Sequence, residues 1–173
     1  MIKLDKSKPF FGFPETILKQ KFTMFAGQRG VNENRLLREL YLQDTDCDCG
    51  WYDKTSNVNE CIKHVFDYTP LDDEPPYRMY VDGFGEYTHP VQQKQLVKLF
   101  RDNNVQVIGT IYAPYLADEL TVDELWLLHR VNSDCVVAAQ LSEWLEYSTW
   151  FEEMTIGEMW SLAGEGWIEK LLK

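Results

Sequence analysis

Apolar residues recur at helical spacing through residues 121–150, so this stretch is the part of the chain that most clearly predicts burial. Thr121 followed by Glu124 matches a capping box, which predicts a short helix through about Arg130. Asp134 is the predicted N-cap of a second helix, whose apolar positions continue to about residue 148. We expect the other elements to pack around these two helices.

The same spacing, together with capping residues, predicts further helices at 15–25, 32–43, 57–66, 90–101 and 155–162. Residues 77–87 are rich in aromatic residues, and Asp82-Gly83 in their middle is typical of the two-residue turn of a β-hairpin. Residues 105–112 alternate and are β-branched, which predicts a strand. These elements predict an α+β fold, mostly helical, with a small antiparallel sheet made of the hairpin 77–87 and the strand 105–112.

The length of 173 residues indicates a single domain over 1–173. Residues 69–76 are acidic and contain three prolines, so they are a candidate linker between an N-terminal sub-region, 1–68, and the remainder, 77–173. Hydrophobic residues make up 45% of the chain, enough for a packed core. The apolar runs are too short to span a bilayer, and the N-terminus lacks a signal-peptide pattern. A cytoplasmic location with reduced cysteines is therefore expected.

Charge is distributed unevenly along the chain, and the negative charge that gives a net value of −11 is concentrated after residue 43. Residues 1–43 hold eight basic and four acidic side chains, whereas 44–173 hold nine and 24. A surface of that sign repels nucleic acid and anionic membranes and attracts basic partners. The charge therefore argues against direct nucleic-acid binding and membrane association.

The sequence accordingly favours a non-enzymatic binding protein whose acidic surface occupies a basic site on a partner protein. A narrower form of this hypothesis is a nucleic-acid mimic, comparable in charge and size to phage-type inhibitors of nucleic-acid-processing or defence enzymes. Acidic residues near aromatic segments are the candidate contacts, since aromatic residues anchor interfaces. These candidates are Asp118, Glu119, Glu143, Glu146, Glu152 and Glu153.

A candidate zinc site is formed by Cys47, Cys49, Cys61 and His64, with one residue between the first pair and two between the second. Three cysteines and one histidine are a common ligand set for structural zinc. The layout over 47–64, a turn followed by a helix, resembles treble-clef zinc sites, which usually place two residues between the first two cysteines. That resemblance implies a zinc-stabilised adaptor. The alternative is that Cys61 is buried as a small apolar residue and the other three side chains have no shared role; in that case the protein has no cofactor.

The residues also bear on two further kinds of site, a calcium site and a catalytic pocket. The aspartates between 44 and 53 suggest calcium, but Cys49 and Thr55 stand where an EF-hand loop requires glycine and glutamate. An enzyme whose pocket is assembled from residues distant in sequence remains a third functional hypothesis, because such a pocket leaves no spacing signature.

Overall fold

A largely parallel β-sheet forms the centre of the fold. The computed structural model describes residues 2–5, 17, 20–27, 33–44, 49–53, 62–63, 67, 76–86, 88–103, 105–132, 135–145 and 153–163. In chain order the strands are β1 (Ile2–Asp5), β2 (Phe22–Gly27), β3 (Cys49–Tyr52), β4 (Tyr77–Val81), β5 (Val105–Thr110), β6 (Leu125–Asn132) and β7 (Cys135–Gln140). They lie in the order β1-β7-β6-β2-β5-β4-β3. The pairs within β3-β4-β5-β2-β6 are all parallel, and β7 is antiparallel to both of its neighbours.

Helices cover both faces of this sheet. In chain order they are α1 (Glu33–Gln43), α2 (Pro90–Asp102), α3 (Pro114–Ala117), α4 (Leu141–Leu145) and α5 (Ile156–Ala163). The buried residues of α1 join one apolar cluster, with the side chains of one sheet face. Buried residues of α2, α3, α4 and α5 join a second cluster on the opposite face. The chain is therefore an α/β fold with a three-layer arrangement. No helix within the described ranges is long and apolar enough to cross a membrane.

The prediction of a mostly helical fold with a small antiparallel sheet is wrong, chiefly because residues 125–132 and 135–140 are strands. Every side chain from Leu125 to Leu128 is buried, with alternate residues in the two apolar clusters. Strands covered on both faces have continuous apolar runs without alternation, and such runs resemble buried helices in sequence. Glu124 does accept a hydrogen bond from the Thr121 amide at 2.9 Å, but this contact closes a turn before β6.

The predicted hairpin at 77–87 is also wrong. β4 pairs in parallel with β5 and with β3, so its direction is not reversed at Asp82-Gly83. Residues 82–86 instead form turns that lead towards α2, with Gly83 at φ 74° and Gly85 at φ 73°. Glycine adopts these left-handed angles without steric cost, which explains its presence in a turn that is not a hairpin turn.

Other local predictions can be compared directly with the structure. Helices at 32–43, 90–101 and 155–162 and the strand at 105–112 are confirmed, with bounds that differ by a few residues. Of the predicted helix at 15–25, Ile17 is helical, whereas the prediction is wrong for residues 22–25, which belong to β2. Of the predicted helix at 57–66, residues 62–63 are described and are helical. Of the predicted linker at 69–76, residue 76 alone lies within the described residues.

A cluster of polar side chains joins the end of α1 to the edge of the sheet at which the parallel strands begin. Asp44, directly after α1, accepts hydrogen bonds from Arg78 (2.7 Å) and from the Tyr80 hydroxyl (2.6 Å). Arg78 also donates to Gln106 (2.7 Å), whose amide donates in turn to the backbone oxygens of Ile17 and Gln20. We call Asp44, Arg78, Tyr80 and Gln106 the amino-edge cluster. Its charges compensate each other inside the protein.

We expect Asp44→Ala to lower the free energy of unfolding by about 3 kcal/mol, because it leaves the Arg78 guanidinium buried without its carboxylate. The side chains of Asp44 and Arg78 are 3% and 10% exposed. Urea unfolding measures the change. Glu39→Ala is the matched control, because it removes a partly exposed partner of the exposed Arg35 and should cost less than about 1 kcal/mol. Equal losses in the two variants would contradict this role for Asp44.

Candidate functional site

The connections after β2 and β5 leave the sheet towards opposite faces. These two strands are hydrogen-bonded neighbours, and both are parallel. The connection after β2 leads to α1 on one face, whereas the connection after β5 leads to α3 on the other. In open α/β sheets a crevice forms outside the carboxyl ends of two such strands, and ligands bind there. The carboxyl ends of β2 and β5 therefore mark the candidate site.

Polar side chains on the α1 side of the sheet gather at this edge. Ile108 and Tyr80 belong to the apolar cluster under α1, and alternation along β5 and β4 places Thr110, Tyr112 and Asp82 on the same side. Glu33 begins α1 at the same edge. We call Glu33, Asp82, Thr110 and Tyr112, with Asn34 beside Glu33 in the chain, the carboxyl-edge cluster.

Thr110 organises one half of this cluster. Its hydroxyl donates to Asp82 Oδ1 at 2.8 Å and accepts from the Gly83 amide at 2.8 Å. The Phe84 amide donates to the Thr110 carbonyl, and the Asp82 amide donates to the Tyr52 carbonyl. The turn after β4 is therefore fixed to the ends of β5 and β3, and the Asp82 carboxylate is held in one orientation.

Tyr112 links the other half of the cluster to α1. Its hydroxyl donates to Asn34 Oδ1 at 2.9 Å, and 38% of the residue is exposed. Burial raises the pKa of Tyr112 to about 12; a hydrogen bond with Thr110 acts in the opposite direction, and the negative charges of Glu33, Asp82 and Glu86 add smaller increases. Tyr112 therefore stays protonated at physiological pH and lies in a negative environment.

Glu33 is the most unusual member of the cluster, because it is buried and no basic side chain among the described residues pairs with its carboxylate. The residue is 6% exposed. Burial raises the pKa of Glu33, and Asp82 raises it further; the Glu33 backbone amide and Arg130 act in the opposite direction. Among the described residues, no side chain donates a hydrogen bond to this carboxylate. A carboxyl group with a raised pKa beside a second carboxylate is a common arrangement in functional sites.

The two polar clusters beneath α1 thus differ in one respect. In the amino-edge cluster Arg78 neutralises Asp44 and also donates a hydrogen bond to Gln106. In the carboxyl-edge cluster Glu33 and Asp82 are both buried, the charge of Asp82 acts on Glu33, and Arg130, which also acts on Glu33, is exposed. Among the described residues, the buried carboxyl groups of the second cluster have no basic partner.

The acidic residues predicted to bind a partner lie elsewhere, around α3, α4 and α5. Asp118 is exposed and accepts a hydrogen bond from the Gly157 amide at 2.6 Å, which joins α3 to α5. Glu119 pairs with Lys94 at 2.9 Å. Glu143 in α4 and Glu153 before α5 are exposed. Glu146 and Glu152, which complete the predicted set, lie outside the described residues.

The predicted zinc ligands are represented in the structure by one residue. Cys49 begins β3, is half-buried, and its Sγ lies 4.0 Å from the Asp44 carbonyl oxygen. Cys47, Cys61 and His64 lie outside the described residues. Within the part of the chain that the structure describes, no three His, Cys, Asp or Glu side chains form a group that could hold a metal ion. Zinc binding therefore stays a prediction.

The sequence does not identify any carboxyl-edge residue as a site residue. It places Asp82 in a predicted hairpin turn and Tyr112 at the end of a predicted strand. One pattern does indicate the site, since Asp82 directly follows the apolar run of β4 and Tyr112 closely follows that of β5. Residues that directly follow parallel strands gather at one edge, but the signal requires the sheet to be recognised as parallel first.

No protein-family model matches this chain, and no curated protein sequence matches it significantly.

Glu33→Gln should make the protein more stable at neutral pH. The folded-state pKa of Glu33 lies above its unfolded value, so the favourable contribution of the protonated form is complete below the unfolded pKa and is lost as pH rises through the folded pKa. Glutamine cannot ionise, so the Glu33→Gln variant does not lose this stability as pH rises. We expect a higher melting temperature than wild type at pH 7.5 and little difference at pH 4, measured by thermal unfolding.

The control for this prediction is Asp123→Asn, which removes one exposed carboxylate. It should change the melting temperature equally little at both pH values. A Glu33→Gln variant that is less stable than wild type at pH 7.5 would show that the carboxylate is favourably paired.

Proposed function

We propose that the protein binds a small molecule in the crevice at the carboxyl ends of β2 and β5, with the carboxyl-edge cluster as its recognition site. The observation that carries this proposal is the buried residue Glu33, whose carboxyl group is influenced by the charge of Asp82 and has no basic partner among the described residues. Burial of an uncompensated acid costs stability, and residues that cost stability are concentrated at binding and catalytic sites.

Two further features support a ligand site at this position. The hydrogen bonds of Thr110 with Asp82 and Gly83 hold the acceptor groups before any ligand arrives, which lowers the entropic cost of binding. Asn34 and the partly exposed Tyr112 are joined across the opposite side of the cluster and can form its wall. The cytoplasmic location expected from the sequence is part of the same proposal.

The proposal is tested by NMR with a library of small fragments that includes acids, bases and neutral polar compounds. Bound fragments should shift the backbone amide signals of Asn34, Gly83, Phe84 and Ile111. Signals of the amino-edge cluster should not move, because Arg78 and Gln106 are satisfied internally. Shifts that gather at any other part of the surface, or none with any fragment, would contradict the proposal.

The acidic surface remains a second proposal, in which a basic partner protein binds around α3, α4 and α5, either as the partner of an adaptor or as the target of a nucleic-acid-mimicking inhibitor. The hydrogen bond from Gly157 to Asp118 supports it, because this bond brings two acidic segments that are distant in sequence against each other. Glu153 and Glu158 are exposed beside this contact. A positive surface would be attracted to such a face by charge, most strongly at low ionic strength.

We expect the double variant Glu143→Gln/Glu153→Gln to weaken binding of a short polylysine peptide at least threefold at low salt, where surface charges are least screened. Fluorescence anisotropy measures the affinity. Glu39→Gln/Asp53→Asn removes the same number of charges near α1 and β3, and is the control. A similar effect of both pairs would mean that net charge alone attracts the peptide, and would remove the support for a defined face.

A further inference from the structure

The charges around the carboxyl-edge cluster come from four elements. Glu33 lies on α1, Asp82 and Glu86 follow β4, Tyr112 follows β5, and Arg130 lies on β6. Three of these groups are carboxyl groups and one is a cation, which is exposed. The site therefore has an excess of negative charge, and the two buried carboxyl groups are its deepest members.

Other buried carboxylates in the described part of the chain have basic partners. Asp44 is paired with Arg78, and Glu124 receives two hydrogen bonds from Arg101 at 2.6 and 2.7 Å. Glu33 and Asp82 are the exceptions among the described residues. A buried carboxylate is strongly disfavoured unless a positive group compensates it, so the lack of such a group among the described residues is the most specific information that the site gives about its ligand.

We propose that the ligand carries a positively charged nitrogen group, an ammonium or a guanidinium, which binds between the carboxyl groups of Glu33 and Asp82. This inference rests on the proposed function and names the ligand class for the same site. An ammonium group has three N–H donors and a guanidinium has five, and neither has an acceptor. Asp82 Oδ1 already accepts from Thr110, and the Glu33 carboxylate accepts from its own backbone amide, so the second oxygen of Asp82 and the remaining acceptor positions of Glu33 are those that such donors would use.

Other ligand classes fit this charge distribution less well. A phosphate or carboxylate would be repelled by Glu33, Asp82 and Glu86. A divalent metal ion generally needs more protein ligands than two, and the described residues hold no suitable group of three. A neutral ligand would leave the buried negative charge uncompensated. A single organic cation satisfies both the hydrogen-bonding and the charge requirement.

The titration of Glu33 gives this inference a second readout. In the free protein, burial and the neighbouring Asp82 raise the pKa of Glu33, which favours its protonated form relative to an exposed glutamate. A cation bound at the same place favours the ionised carboxylate, so binding and protonation of Glu33 compete. Affinity for the ligand should therefore fall as pH falls through the pKa of Glu33 in the free protein, by up to about tenfold per pH unit for one displaced proton.

The test uses butylamine and butylguanidine as probes, with butanol and butyrate as matched neutral and anionic compounds. Dissociation constants are measured by NMR titration between pH 5 and 8. We expect one or both cations to bind at the carboxyl-edge cluster with affinity that decreases towards low pH, and the alcohol and the acid to bind at least tenfold more weakly. The control variant Asp123→Asn should bind every probe with the same affinity as the wild type, since Asp123 is exposed on the turn before β6.

Two variants separate failure of this inference from failure of the proposed function. Glu33→Gln should lower the affinity for the cations at least tenfold at pH 7.5 and abolish the pH dependence, and Asp82→Asn should lower the affinity without removing the titration of Glu33. If the alcohol, the acid or a neutral or anionic fragment of the library binds at this site as tightly as the cations, the ligand class is wrong while the proposed site stands. If neither these probes nor any fragment of the library shifts signals at the cluster, both are wrong.

Discussion

The cost of burying a charge governs how the polar residues beneath α1 are arranged. The face of the sheet below this helix is apolar in its middle, where Tyr80, Ile108 and Leu128 pack, and polar at both edges. At each edge a carboxyl group is withdrawn from water, and each must be compensated by a proton, a cation or a set of hydrogen-bond donors. Among the residues that the structure describes, Arg78 pairs with the carboxylate at one edge, and no basic side chain pairs with Glu33 or Asp82 at the other.

That difference separates a structural role from a functional one. Asp44 and Arg78 complete each other, so their pairing fixes the end of α1 and leaves nothing for a ligand to satisfy. Glu33 and Asp82 are placed at the point where neighbouring connections diverge to opposite faces, which is where crevices form in sheets of this type. Thr110 and Gly83 hold Asp82 in place, and Tyr112 is bonded to Asn34. The acceptors are therefore ordered before a ligand binds, as a recognition site requires.

The sequence predicted the amphipathic helices well, because α1 and α2 each bury one face and begin or end at recognisable residues. His89 caps α2 directly before Pro90, for example. It failed for the central strands. The segment from Leu125 to Leu128 is buried on both faces, so neither alternation nor helical spacing describes it, and only the pairing with β2 and β7 decides its conformation. Because the fold class depends on those strands, the wrong prediction of their conformation led to the wrong fold class.

The candidate site was missed for a related reason. Glu33, Asp82 and Tyr112 are far apart in sequence and share no motif; they meet because β2, β4 and β5 are parallel and end at the same edge. The acidic residues noticed in the sequence were instead those adjacent to aromatic segments. Two of them, Asp118 and Glu119, make contacts within the fold, with Gly157 and Lys94. Local composition identified charge, whereas the environment of each charge depended on tertiary structure.

The most direct test of this account is the pKa of Glu33 in the ligand-free protein, measured by carbon-13 NMR of its side-chain carboxyl group in wild type and in Asp82→Asn. The account predicts a value clearly above that of an ordinary glutamate, which is about 4.3. It also predicts a lower value in the variant, because Asp82 contributes to the raised pKa. An ordinary or lowered pKa in the wild type would contradict it, since it would mean that an internal partner already compensates the Glu33 carboxylate.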